Sequence, residues 1–186
     1  MNTIVERGYV GMQEVKMAHE LVYYGHKILK KIAAEVVNID GELIDLIDSM
    51  YNVMYRAKGL GLAAPQVDVS RRIFVLDIED DNKNISLALI NPVIKEFSDK
   101  EVPYEEGCLS LPGIMAEVVR PAEILVSGLD RDGKEVEIEA GGLLARVTQH
   151  EVDHLNGILF IDHLEDYVRN ELRSELKKVK KLNKRS

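Results

Sequence analysis

Gln149-His150-Glu151-Val152-Asp153-His154 sets two histidines four residues apart, with a glutamate directly after the first. On a helix, residues i and i+4 lie on one face, so both imidazoles can reach a single cation. Glu151 then projects beside that cation, where it can take a proton from water and pass it to a leaving group. The bland alternative is a helix face with one buried and one exposed histidine. A third ligand, an oxyanion donor and a substrate cleft elsewhere in the chain decide between the two.

A catalytic metal site needs three protein ligands and an open position for water. Downstream, the metzincin pattern His-Glu-x-x-His-x-x-Gly-x-x-His is matched through Gly157 and then broken, because Phe160 stands where the last histidine belongs. Glu171 and Glu175 offer carboxylates further on, though the lysines and arginines around them make i to i+4 ion pairs the simpler use. Upstream, Glu105-Glu106-Gly107-Cys108-Leu109-Ser110-Leu111-Pro112 holds the one cysteine of the chain. A lone cysteine is ordinarily a small buried hydrophobe. A Gly-Cys step in a loop, next to turn-forming Pro112-Gly113, also suits a thiolate approaching a metal from a strand edge, and the cation would deprotonate it.

Gly59-Leu60-Gly61-Leu62-Ala63-Ala64-Pro65-Gln66 is not a dinucleotide fingerprint, since it follows a helical pattern and lacks the third glycine of Gly-x-Gly-x-x-Gly. Small residues packed this densely instead let another backbone approach closely, either a helix or an extended peptide substrate. The Gln66 amide can donate to a developing oxyanion, or simply tie down its loop.

These residues need a scaffold. Asp40 is the candidate N-cap of an amphipathic helix carrying Leu43, Ile47, Met50, Met54 and Ala57, ended by Gly59. Strand-like runs follow at 72–78, 85–90, 93–97, 114–119 and 124–129, and Asp130-Arg131-Asp132-Gly133 turns into the alternating strand 135–139. Their connections are too short for helical crossovers, which predicts an antiparallel or mixed sheet. After Gly141-Gly142 a helical period returns, placing Leu143, Val147, His150 and His154 on one inward face, with Asn156-Gly157 as its stop. A last helix is expected over 164–182. The expected fold is α+β, with antiparallel or mixed sheet around a central metal-binding helix, an N-terminal helix and a C-terminal helix.

The 186 residues fit one domain, and 46% hydrophobic with 30% charged residues is a globular composition with no run of apolar residues able to span a bilayer. One cysteine and no secretory h-region predict a reducing cytoplasm. Residues 1–18 lack strong periodicity and read as an extension or leader ahead of a single catalytic domain over 19–186. The net charge of −8 argues against specific nucleic-acid recognition. It conceals a basic end, since residues 163–186 hold eight Lys or Arg against four Asp or Glu. That end is read as a solvated helix face that can still touch a polyanion.

Together the three segments resemble the peptide deformylase family, whose signatures Gly-x-Gly-x-Ala-Ala-x-Gln, Glu-Gly-Cys-x-Ser and Gln-His-Glu-x-Asp-His occur here in order as 59–66, 106–110 and 149–154. The resemblance implies Cys108, His150 and His154 as metal ligands and Glu151 as general acid/base. It implies an oxyanion held by Gln66 and the Leu109 backbone N–H. The peptide substrate would pair as an added strand with backbone near Leu60, Gly61 and Gly107, its methionine in a pocket of Leu60, Glu106, Leu143, Val147 and His150. Met115 stands near the place of an arginine that pairs with the motif glutamate in some relatives, so Glu106 needs another partner. The implied reaction is removal of the N-formyl group from N-formylmethionyl nascent polypeptides. The resemblance favours Fe(II), with Zn, Ni or Co able to occupy the site, and the basic C-terminal helix suggests transient ribosome contact. A metallopeptidase, or a non-catalytic metal-stabilised binding protein, is the competing class.

Overall fold

Asp40 Oδ1 accepts the Leu43 N–H at 3.0 Å and opens helix α1 (Gly41–Arg56), as the capping pattern predicts. One face of α1 buries Leu43, Ile47, Met50, Val53 and Met54. The left-handed residue that ends it is Lys58, at φ 57°, and the Gly59 N–H closes back on the Met54 carbonyl. The fit at 59 is close for another reason: a Cβ there would stand 2.6 Å from Cδ1 of Leu109, so that side chain would have to move.

The computed structural model describes residues 19–80 and 83–184, and the extension expected over 1–18 lies outside them. Strands β1 (Gly61–Ala63), β2 (Ile73–Asp80), β3 (Lys83–Phe97), β4 (Glu101–Gly107), β5 (Met115–Pro121), β6 (Glu123–Leu129) and β7 (Glu135–Gly141) form two sheets. One is five-stranded in the order β1-β2-β3-β6-β7, and β4 pairs only with β5. Every recorded pairing is antiparallel.

Alternate residues of β2 serve different cores. Phe74, Leu76 and Ile78 pack toward helix α2 (Gly142–Leu155), while Ile73 and Val75 pack toward α1. Both sheet faces are covered, which is why β2 reads as a continuous apolar run rather than an alternation. A third core joins Leu111, Ile114 and Val118 to Leu159, Phe160 and Ile161 and to the C-terminal residues Leu176 and Val179.

Three expectations change. The runs 85–90 and 93–97 are one strand, β3, bent rather than broken at Asn91-Pro92. Asn91 takes a left-handed φ of 50°, and its carboxamide binds the N–H and C=O of Val36. The segment before Cys108 is a strand, β4, whose polar sequence hides it because one of its faces is exposed. The single helix expected over 164–182 divides at Leu172 into α3 (Asp166–Glu171) and α4 (Arg173–Lys180). Among the described residues, α3 buries no side chain and α4 buries Leu176 and Val179, so only the second is held by packing. No helix among the described residues is long and apolar enough to cross a membrane.

Candidate active site

Helix α2 carries His150, Glu151 and His154 on its inner side, and the end of β4 delivers Cys108 to them. Cys108 Sγ lies 3.2 Å from His154 Nε2, and the three ligand atoms of Cys108, His150 and His154 fall within 4.8 Å of one another. Glu171 and Glu175 are not part of this cluster. Phe160, where a downstream ligand was sought, is buried and stacks on the His150 ring at 6.2 Å between centroids. Gln66 follows β1 on a short turn. Its Oε1 accepts the Ala63 N–H at 2.8 Å, and its Nε2 lies 3.4 Å from Ser110 Oγ and 3.5 Å from Cys108 Sγ.

The donor set suits a divalent cation. His150 Nδ1 donates to Glu106 Oε2 at 2.9 Å, which leaves Nε2 as its ligand atom. A thiolate with two imidazoles matches Zn or Fe(II), and three chain ligands leave a position for water. Burial holds His154 well below the ordinary imidazole range, which keeps it the neutral base a metal requires.

Glu106 is almost fully buried and holds this arrangement together. Arg120 grips both of its oxygens, Nε to Oε1 at 2.7 Å and a terminal nitrogen to Oε2 at 3.0 Å, and Arg146 adds a contact to Oε1 at 2.9 Å. Burial alone would raise the Glu106 pKa, but the hydrogen bond from His150 and those from Arg120 outweigh it and hold the carboxylate far below its usual range. Arg120 also binds Asp153 at 2.6 Å, and Asp153 accepts from His163 at 2.7 Å, so the chain of contacts reaches the surface.

Glu151 differs in kind from Glu106. Its Oε2 is buried without a hydrogen-bond partner, and burial pushes its carboxyl up to about 7 despite the opposing charge of His150. It borders a cleft of about 620 Å³ that also contains Leu60, Gly61, Gln66, Glu106, Gly107, Leu109, Leu143 and Val147. The residues that the family resemblance implied line this one cleft, apart from His154, which is buried. Gly61 is needed for close approach, since a Cβ there would stand 2.5 Å from Glu151 Oε1 and 2.8 Å from Val147 Cγ1.

The polypeptide deformylase family model matches residues 18–170. A peptide deformylase of Thermodesulfovibrio yellowstonii is 50% identical over 159 residues, covering 85% of this chain and 96% of that protein. One from Picosynechococcus is 47% identical over 85% of this chain and 84% of its own length. The crystal structure of a peptide deformylase from Legionella pneumophila superposes with a TM-score of 0.82 at 44% identity, covering 91% of this chain and 99% of that one. The chain belongs to the polypeptide deformylase family.

Beyond the deformylase motifs, the fold recruits residues that spacing alone did not assign. Arg120 and Arg146 are the partners that Glu106 needs. Met115 lies against Gly107 and borders the cleft. Arg146 carried a usable signal, because it stands four before His150 and so on its face of α2. Arg120, on β5, carried none, since only the β4–β5 pairing brings it to Glu106. Leu21 and Tyr23 form a further wall of the cleft from a segment with no recognisable pattern.

Proposed function

We propose that the protein is a metal-dependent deformylase that hydrolyses the N-formyl group of N-formylmethionyl nascent polypeptides and releases formate. The observation that carries this reading is the unpartnered, buried Glu151 carboxyl beside a Cys108, His150 and His154 donor set at the head of a peptide-sized cleft. When bound, the cation acidifies water and polarises the formyl carbonyl. Glu151 accepts the proton that water loses and returns it to the departing nitrogen. Gln66 Nε2 and the Leu109 N–H stabilise the oxygen that gains charge. Leu60, Gly61 and Gly107 present backbone to the extended peptide, and Leu60, Glu106, Leu143, Val147 and His150 enclose its methionine. A tight site admits the hydrogen of a formyl group and excludes a larger acyl group.

Fe(II) is the proposed metal, with Zn, Ni or Co as substitutes, and the thiolate makes the centre oxygen-sensitive. The catalytic domain is read as 19–186, in a reducing cytoplasm that its lone cysteine suits. Exposed Lys177, Lys178 and Lys181 form the basic face read as a transient ribosome contact. Reversing these three charges tests it without removing the buried Leu176 and Val179. Wild-type co-sedimentation with ribosomes after that reversal counts against the contact.

Formate release from a formyl-Met peptide by anaerobically prepared protein tests the main reading. Glu151→Ala is expected to keep its metal and lose about 10²- to 10⁴-fold in rate. Cys108→Ala should lose both metal and activity. No formate from metal-loaded wild type rejects the reading, and cleavage of unformylated peptides would favour a metallopeptidase instead.

A further inference from the structure

Residues 22–24 bridge the loops that carry Gln66 and Cys108. The Val22 N–H donates to the Gln66 carbonyl at 2.9 Å, and the Tyr24 N–H donates to the Ser110 carbonyl at 2.8 Å. Tyr23, between these two residues, bonds elsewhere, its carbonyl accepting the His26 N–H at 3.0 Å as the chain turns. Asn183 meets it there. Its Oδ1 accepts the Tyr23 N–H at 2.9 Å, and its Nδ2 donates to the carbonyls of Tyr23 at 2.9 Å and Tyr24 at 3.1 Å. One carboxamide thus supplies the bonds that a neighbouring strand would. The stem of Lys180 packs on the following turn, where a Cβ at Gly25 would lie 2.6 Å from Lys180 Cγ. Leu21, just ahead of this stretch, and Tyr23 belong to the cleft wall.

The aim of the Gln66 carboxamide depends on where the 63–66 turn and the 108–110 loop stand relative to each other, because it bonds to Ala63 on one side and approaches Ser110 and Cys108 on the other. The bridging stretch sets that spacing, and its outer edge is capped by Asn183. We propose that Asn183 is a positioning residue for deformylation: through Tyr23 and Tyr24 it fixes the two loops that aim Gln66 at the reacting oxygen. This rests on the deformylase reading above. It gives the end of the chain a part in the active site that is independent of its charge.

The test uses metal-loaded, full-length wild type, Asn183→Ala and Asn183→Asp. Steady-state kinetics with a formyl-Met peptide, metal content, and amide hydrogen exchange at Val22 and Tyr24 are measured on each. Asn183→Ala is expected to lower kcat/KM about tenfold, leave metal content unchanged and accelerate exchange at both amides. Asn183→Asp, which keeps the acceptor for Tyr23 but sets a carboxylate oxygen against the two carbonyls, should lose at least as much as alanine and serves if the alanine variant fails to fold. In a Gln66→Ala background the further loss from Asn183→Ala should largely vanish, because both changes disable one device. The same tenfold loss in that background would show general loosening and overturn the proposal, as would wild-type kinetics and exchange. If wild type releases no formate, the deformylase reading falls. Exchange at Val22 and Tyr24 then still decides the clamp, acceleration upholding it and wild-type protection overturning it.

Discussion

Glu106 Oε2 lies 2.9 Å from Nδ1 of His150, so the residue two before the thiolate orients an imidazole 44 positions further along the chain. The two motifs are one unit, joined by a carboxylate that both Arg120 and Arg146 hold in place. Glu106→Gln removes the charge from the middle of that unit. Metal affinity should fall about 10- to 100-fold, read by competition with a chelator, because the ligand loses its orienting acceptor. Unchanged affinity would mean that the helix backbone alone sets the His150 ring.

Gly61 leaves room for the Glu151 carboxylate that no side chain could share. Gly61→Ala should displace it, lowering kcat about 100-fold while metal content stays at the wild-type level. A normal kcat would show that β1 can shift to admit the methyl group, and the close approach would then carry no catalytic weight.

A carboxyl held protonated to about 7 when folded, and to 4.5 by its ordinary value, binds its proton more tightly in the folded chain. Its contribution to stability is therefore lost as pH rises from about 4.5 to 7. In metal-stripped protein, Glu151→Gln should be more stable than wild type above pH 7, by roughly 3 kcal/mol, and should show no such gain at pH 4. Urea unfolding at the two pH values checks this. Equal stabilities at pH 8 would place the Glu151 pKa near that of a solvated carboxylate.

Arg146 donates to Glu106, to the Val118 carbonyl on β5 at 3.0 Å and to the Val102 carbonyl on β4 at 2.7 Å. It fastens the two-stranded sheet to α2. Arg146→Leu leaves buried acceptors unmatched and should cost about 3–5 kcal/mol in urea unfolding. Arg146→Lys should recover only part of that, since an ammonium cannot reproduce the fork. A loss below about 1 kcal/mol, the scale of an exposed ion pair, would show that water replaces the guanidinium.

Residues 149–154 pointed to two ligands because helical geometry turns a spacing of four into a shared face, whereas Cys108 joined them through the resemblance of 106–110 to the deformylase motif. The inner face of α2 and the cap of α1 were legible on the same ground. β4 was not, because a hairpin strand with an exposed face needs no apolar run, and its partner β5 lies beyond the Cys108 loop. The continuity of β3 through Asn91-Pro92 was hidden too. A proline normally ends a strand pattern, and here the bend is held by contacts from distant residues, Asn91 with Val36 and Arg72 with Asn91 and Pro92.

By itself, then, the sequence determined which atoms can bind a cation, which carboxyl stands beside it and which family the three motifs resemble. Tertiary structure decided what holds those atoms. Arg120 and Arg146 reach Glu106, Phe160 packs on His150, and Asn183 caps Tyr23 across 160 positions of chain. The physical reason is that buried polar groups must find partners wherever the fold puts them. Those partners come from elements whose approach is set by core packing, and no local spacing encodes it.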